Sequence, residues 1–133
     1  MVRTTIRVLN AKKVSAKLRR MSKSSTKAFG RANLQSAQVL ARDIRAHTPV
    51  DTGRLRRSTK VRYNPSNGSV SVGWFVNSGG TTPPHMAQAL AVEYGNKYRP
   101  GRFVIRNALR RNRRTIRNFQ VRQGNRWLGA STR

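Results

Sequence analysis

The sequence predicts an α+β fold: a long N-terminal helix, a small antiparallel sheet with a β-hairpin, a short helix, a C-terminal helix and a basic flexible tail. Three observations support this. Small and apolar residues recur at helical spacing over 12–47, two alternating segments flank a strong turn sequence, and a second helical pattern runs from about 102 to 118. We expect one domain over residues 1–118, followed by a tail over 119–133.

The first helix is predicted over residues 12–47 because side chains recur every three or four positions. Asn10 suits the N-cap, and Thr48-Pro49 ends the helix since the residue before proline avoids α geometry. Gly30 is a candidate kink. The recurring side chains form one stripe along the helix, and this stripe is partly polar. The helix therefore lies either across a sheet or against copies of itself in a ring, and the sequence leaves both possibilities open. The first members of the stripe are Val14, Leu18, Met21, Ser25, Ala28 and Ala32.

The sheet is predicted from two alternating segments, 58–63 and 69–76, joined by the turn sequence 64–68. Residues 4–9 also alternate and suggest an edge strand, and residues 77–84 lack any period and suggest a loop. The hairpin should place Val61 and Tyr63 opposite Val70, Val72, Trp74 and Val76.

The C-terminal part should contain an Ala-rich helix over 86–94, ended by Gly95, and then a loop over 96–102. The last helix should open at Arg102 or Phe103 and end near Asn118. Its apolar face would consist of Ile105, Ala108, Leu109, Asn112, Ile116 and Phe119, and a basic stripe beside it of Arg106, Arg110, Arg113 and Arg117. The remaining tail should be disordered unless a partner captures it through Trp127.

Charge is the strongest compositional feature, since 29 Lys and Arg stand against 3 Asp and Glu, a formal charge of +26. Residues 63–98 are neutral overall, with Lys97 against Glu93. Self-repulsion opposes compaction, so we expect a polyanion or neighbouring subunits to complete the fold. The distribution suggests a neutral assembly surface between two basic flanks for DNA or acidic neighbours.

Several function classes have little support. The chain has no cysteine, which excludes disulfides and thiolate metal sites. The N-terminal segment lacks the apolar core of a signal peptide, and no apolar run approaches the ~20 residues of a membrane span. We therefore expect that the protein is made in the cytoplasm and does not associate with a membrane.

A catalytic site is also not expected. Asp51-Thr52-Gly53 matches the aspartic-protease triplet, and a dimeric hydrolase using Asp51 is a third hypothesis for function. We favour a turn, in which Asp51 accepts backbone hydrogen bonds and Gly53 supplies unusual backbone angles. His47 and His85 have no metal-ligand spacing, so no metal or cofactor is predicted. Glu93, in so basic a chain, should pair with an arginine.

Two segments together resemble a known family. Residues 46–59 resemble the pattern A-x-x-P-v-D-T-G-x-L-r-x-S of the tail-completion, or head–tail joining, proteins of long-tailed double-stranded DNA phages. Glu93-Tyr94-Gly95 and residues 100–109 resemble that family's E-y-G-t and P-F-l-r-p-A-l motifs. The order of elements is also similar over residues 12–118.

The resemblance implies a non-enzymatic structural protein of the virion neck, assembled in the host cytoplasm as a homo-oligomeric ring. Its partners would be the portal or its adaptor, the tail-terminator or tail-tube proteins, and packaged double-stranded DNA through non-specific contacts. Phe103, Ala108 and Leu109 would pack the last helix on the sheet. The structural turn residues would be Pro49, Asp51, Thr52, Gly53, Leu55, Glu93, Tyr94 and Gly95.

Two hypotheses of function therefore lead. The first is this head–tail joining subunit, and the alternative is a cellular nucleic-acid-binding protein of ribosomal or nucleoid type, which the arginine content alone would suggest. The stripe Arg106, Arg110, Arg113 and Arg117 would contact DNA or an acidic partner in the first case.

Overall fold

The computed structural model of the 133-residue chain describes residues 11–50, 53–75 and 85–131. The predicted α+β class is confirmed, while the predicted edge strand at 4–9, the cap Asn10 and the loop 77–84 lie outside the described residues. In chain order the elements are α1 Ala11–His47, α2 Arg54–Arg57, β1 Thr59–Asn64, β2 Ser69–Trp74, α3 His85–Tyr94, β3 Gly95–Asn96, β4 Arg99–Pro100 and α4 Val104–Ser131.

Helices α1 and α4 pack side by side and run antiparallel. Asp43, near the end of α1, contacts Arg111 in the first part of α4. Ser24, earlier in α1, accepts from Trp127 Nε1 near the end of α4 at 2.8 Å, so the two helices run in opposite directions. The small residues of the α1 stripe allow this approach, since Ala32 is buried. Within this chain, α1 therefore lies against both the hairpin and α4.

The predicted β1–β2 hairpin is confirmed, and its register places Val61 opposite Val72 and Tyr63 opposite Val70. Its turn sits on α1 at Gly30, where an added Cβ would lie 2.6 Å from Tyr63 Oη. Gly30 was a candidate position for a kink in the helix; α1 is continuous through it, and the glycine provides room for the hairpin.

A second, two-residue hairpin, β3–β4, occupies part of the segment predicted as a loop over 96–102. Asn96 Oδ1 accepts the backbone N–H groups of Tyr98 and Arg99 at 3.0 and 2.9 Å, which closes the turn. Strands of two residues are too short to show an alternating pattern, so the sequence could not predict them.

The core is small and lies at the end of the helix pair where the other elements meet. Most elements contribute one or two side chains to it: Ile44, Leu55, Trp74, Ala89, Val104 and Ala108. Leu109 was expected to pack with Ala108 but is 54% exposed, because the α1-facing side of α4 continues from Ala108 to Asn112 instead. The last helix packs mainly along α1 rather than on the sheet.

The prediction of a flexible tail is wrong for residues 119–131. Helix α4 continues to Ser131, so residues 119–131 are helical rather than disordered. Phe119, Gln123 and Trp127 recur every four positions on the α1-facing side and are half-buried. Trp127 was expected to await a partner protein, whereas its indole N–H is held by Ser24 of the same chain. Packing against α1 stabilises a segment whose own composition is weakly helical.

Candidate functional site

The first turn motif links the end of α1 to the core. The Thr48 hydroxyl donates to the Ile44 carbonyl at 2.6 Å as α1 ends. Gly53 has a φ of 72°, a left-handed conformation that favours glycine, and the short helix α2 follows it directly. Leu55 is buried in the core and Pro49 is half-buried. Asp51 and Thr52 lie outside the described residues.

Glu93 of the second turn motif is buried, with 7% of its surface exposed. Its carboxylate accepts the backbone N–H of Ile105 at 2.9 Å and of Arg106 at 3.1 Å, in the first turn of α4. Its carbonyl accepts the N–H of Phe103 at 3.1 Å. The expected arginine pairing is thus replaced by capping, because a helix N-terminus presents unpaired N–H groups and a positive dipole end.

The rest of the second motif brings two chain segments into close contact. Gly95 has a φ of 87°, and an added Cβ there would lie 2.5 Å from the backbone N of Gly101. Phe103 also has a positive φ, 48°, immediately before α4. Tyr94 is exposed, although its backbone lies close to Gly101, so Glu93 supplies the buried side chain of this motif.

The first turn motif lines a cleft of about 250 Å³ together with residues of α3 and of the segment that follows α3. Pro49, Gly53 and Leu55 line it from the first motif, and it is completed by Gln88, Ala91, Val92, Asn96, Arg99, Pro100 and Arg102. Most of these side chains are apolar or cationic, and the cleft therefore has the character of a contact surface. Within 11–50, 53–75 and 85–131, no group of three or more His, Cys, Asp or Glu is placed to hold a metal ion.

The predicted basic stripe of α4 is exposed along its whole length. Arg106, Arg110, Arg113 and Arg117 recur at spacings of four, three and four residues, so they share one side of α4, and all four are exposed. The Arg106 guanidinium lies 5.0 Å from the centre of the Phe103 ring, a cation–π distance. These arginines are thus available to a partner.

A polar cluster around Asp43 lies between α1 and α4, and the sequence alone did not predict it. Asp43 accepts from Arg111 through both oxygens, at 3.0 and 3.1 Å, and from Asn112 Nδ2 at 2.6 Å. His47 Nδ1 lies 2.7 Å from Asp43 Oδ1. Desolvation by burial acts to raise the pKa of Asp43, but the Arg111 guanidinium and then the other donors outweigh it and lower that pKa below its usual value. The cluster joins positions 68 or more residues apart, which no local pattern reveals.

Acidification is expected to weaken this cluster. Because the folded-state pKa of Asp43 is depressed, its contribution to stability is fully present above its unfolded pKa, about 4, and is lost as the pH falls through the folded value. Urea unfolding between about pH 6 and pH 3 should show a smaller fall in stability for Asp43→Asn than for the unmodified protein. An identical fall in both proteins would contradict this assignment.

Comparison with known protein families identifies a match. A family model described as "HK97-gp10_like: Bacteriophage HK97-gp10, putative tail-component" matches residues 12–106, which include both turn motifs and the hairpin. No curated protein and no solved structure matches the chain. In the described part of the chain, no helix has the length and apolar character needed to cross a membrane.

Proposed function

The chain belongs to the HK97-gp10-like family of bacteriophage tail components, and from this premise we propose that it joins the phage head to the tail as an oligomeric ring around the DNA passage. The family establishes a phage tail-related structural protein of the virion. The ring, and its neighbours (portal or adaptor on one side, tail-terminator or tail-tube proteins on the other), are the proposal.

The observation that best supports self-assembly is the exposed N-terminal part of α1. Pairing with α4 is seen as far as the contact between Ser24 and Trp127, and residues 12–20 of α1 are all exposed. Val14 and Leu18, 55% and 60% exposed, lie on the same helical stripe that faces α4 further along α1. An apolar stripe that continues past its partner helix suits a contact with another copy.

A second exposed apolar surface lies at α3 and the β3–β4 turn. Leu90, Tyr94 and Tyr98 are all exposed there, and Tyr98 is 84% exposed. This surface falls in the neutral segment 63–98, where repulsion between copies is weakest. Aromatic side chains with few charges are typical of the centres of protein interfaces.

Two different patches on one chain support a ring. When one patch of a subunit binds a different patch of the next, the contact is heterologous, and it closes into a ring if the rotation allows. The exposed arginines of α4 would then be available to packaged DNA or to acidic surfaces of the head and tail proteins.

The mass of the protein in solution, with electron microscopy of the same sample, tests this function. We expect a discrete multi-subunit mass and ring-shaped particles. Val14→Gln with Leu18→Gln should reduce the multi-subunit fraction, whereas the matched control Leu109→Gln, equally exposed but outside both patches, should not. A monomer at every concentration that binds RNA tightly would contradict the proposal and favour the cellular nucleic-acid-binding alternative.

A further inference from the structure

We propose that the outer face of α1, rather than the arginine stripe of α4, binds the phosphates of duplex DNA. The outer face is defined by six cations: Lys13, Arg20, Lys27, Arg31, Arg42 and Arg45. This inference rests on the proposed function in one respect, since it assumes that DNA passes the subunit.

The six cations form one line. Their separations along the sequence are seven, seven, four, eleven and three residues, each close to a whole number of helical turns. The line therefore follows one side of a single continuous helix over roughly 48 Å, at about 1.5 Å per residue. All six residues are exposed.

The outer face lies away from the side of α1 that packs on α4. Asn33 and Asp43 contact α4, and the buried Ser36 lies between them on that side, whereas the six cations lie on the other side of the helix. On the side of the cations α4 reaches α1 at Ser24, which accepts the indole N–H of Trp127. The side-chain carboxylates in the described residues are also committed elsewhere, Asp43 to Arg111 and Glu93 to the start of α4. Neither lies on the outer face to neutralise it.

A groove at the C-terminal end of this line adds a shaped contact. It has a volume of about 430 Å³ and lies between α1 and β1, where Lys60 joins Arg42 and Arg45. Arg45 donates one N–H to the Thr59 carbonyl at 2.8 Å, which orients its guanidinium at the groove and leaves further donors. A phosphate in the groove would meet Arg42 and Arg45 together, and the planar guanidinium groups of arginine match phosphate geometry.

The chemistry of this face favours a duplex over a single strand. Proteins that bind single strands stack bases on aromatic rings, and the aromatic residue of α1, Phe29, lies on the side that packs near Gly124 of α4. The outer face also carries the exposed Gln35 and Gln38 between its cations, and these can donate to phosphate without reading sequence. A row of cations along one continuous helix suits the regular phosphates of a duplex.

The stripe of α4 has a different character. Leu109, 54% exposed, lies between Arg106 and Arg113 on the helix surface, and Arg106 already lies over the Phe103 ring. Arginine beside exposed apolar surface is typical of protein interfaces. We therefore assign the α4 stripe to an acidic protein neighbour and the outer face of α1 to DNA.

The test compares two variants that each lose four positive charges. One is Lys13→Gln, Arg20→Gln, Lys27→Gln and Arg31→Gln, and the other is Arg106→Gln, Arg110→Gln, Arg113→Gln and Arg117→Gln. Binding to a duplex about 30 base pairs long is measured against salt concentration, since each lost phosphate contact lowers the salt slope by about 0.9. The α1 variant should lose about three to four units of slope and the α4 variant less than about one.

Controls separate folding, strand type and assembly. Lys13→Arg with Lys27→Arg should keep the full slope, and circular dichroism should show equal helix content in all variants. Equal losses in the two four-charge variants, a larger loss in the α4 variant, no duplex binding by the unmodified protein, or equally tight binding of single-stranded DNA would each overturn the proposal. Subunit mass is measured on the same samples, so failure of the ring is seen separately from failure of DNA binding.

Discussion

Replacing Glu93 with alanine is expected to lower the free energy of unfolding by about 2–3 kcal/mol. The carboxylate is buried and accepts the N–H groups of Ile105 and Arg106, so its loss leaves two donors without an acceptor. It also removes a negative charge from the positive end of the α4 dipole. The measurement is urea unfolding at neutral pH, with the helical signal monitored.

Two control variants sharpen this test. Glu93→Gln keeps one acceptor oxygen without the charge and should fall between the alanine variant and the unmodified protein. Gln88→Ala, an exposed position on the same helix α3, should leave stability within about 0.5 kcal/mol. If Glu93→Ala were no more damaging than Gln88→Ala, the capping role of Glu93 would be wrong.

Replacing Gly95 with alanine should cost about 2–4 kcal/mol, because the change combines backbone strain with a steric clash. The φ of 87° is unfavourable for a residue with a Cβ. That Cβ would lie 2.5 Å from Gly101 N, 2.8 Å from Arg99 O and 2.9 Å from Pro100 C, and backbone atoms cannot move aside as a side chain end can. Thermal unfolding should therefore show a clearly lower midpoint.

Gly129→Ala is the matched control for this prediction. Gly129 lies inside α4, and an added Cβ would meet no atom within 4 Å. Alanine there should stabilise the helix by about 0.5–1 kcal/mol. The same chemical change should thus have opposite signs at two positions of one protein, and a stabilising Gly95→Ala would show that the β3–β4 turn is not held as described.

Much of the architecture was predictable because its signals are local. The three-and-four spacing of 12–47 predicted α1 to within one residue, and the alternation on either side of the turn predicted the β1–β2 hairpin. Less of the site was predictable. The sequence marked Glu93 and the α4 arginines as notable, but Glu93 was wrongly expected to pair with an arginine, whereas it caps α4.

The missed features share one cause. Asp43 meets Arg111 across 68 residues of sequence, and Trp127 meets Ser24 across 103. Neither pair leaves a periodic pattern in the sequence. The helix that a side chain contacts depends on the path of the chain between the two helices. The length of α4 was underestimated for the same reason, since its last turns are supported by α1 rather than by their own composition.

The sequence by itself determined α1, the β1–β2 hairpin and the presence of α3 and α4. It also determined the charge of +26 with its neutral centre and, through two turn motifs, the resemblance to a phage family that the family match confirms. Only the tertiary structure decided that α1 and α4 form an antiparallel pair, that Glu93 caps α4, and which cations share a face away from that pairing. The reason is physical. Periodicity and composition act over a few residues, whereas burial and charge pairing depend on neighbours that only folding brings together.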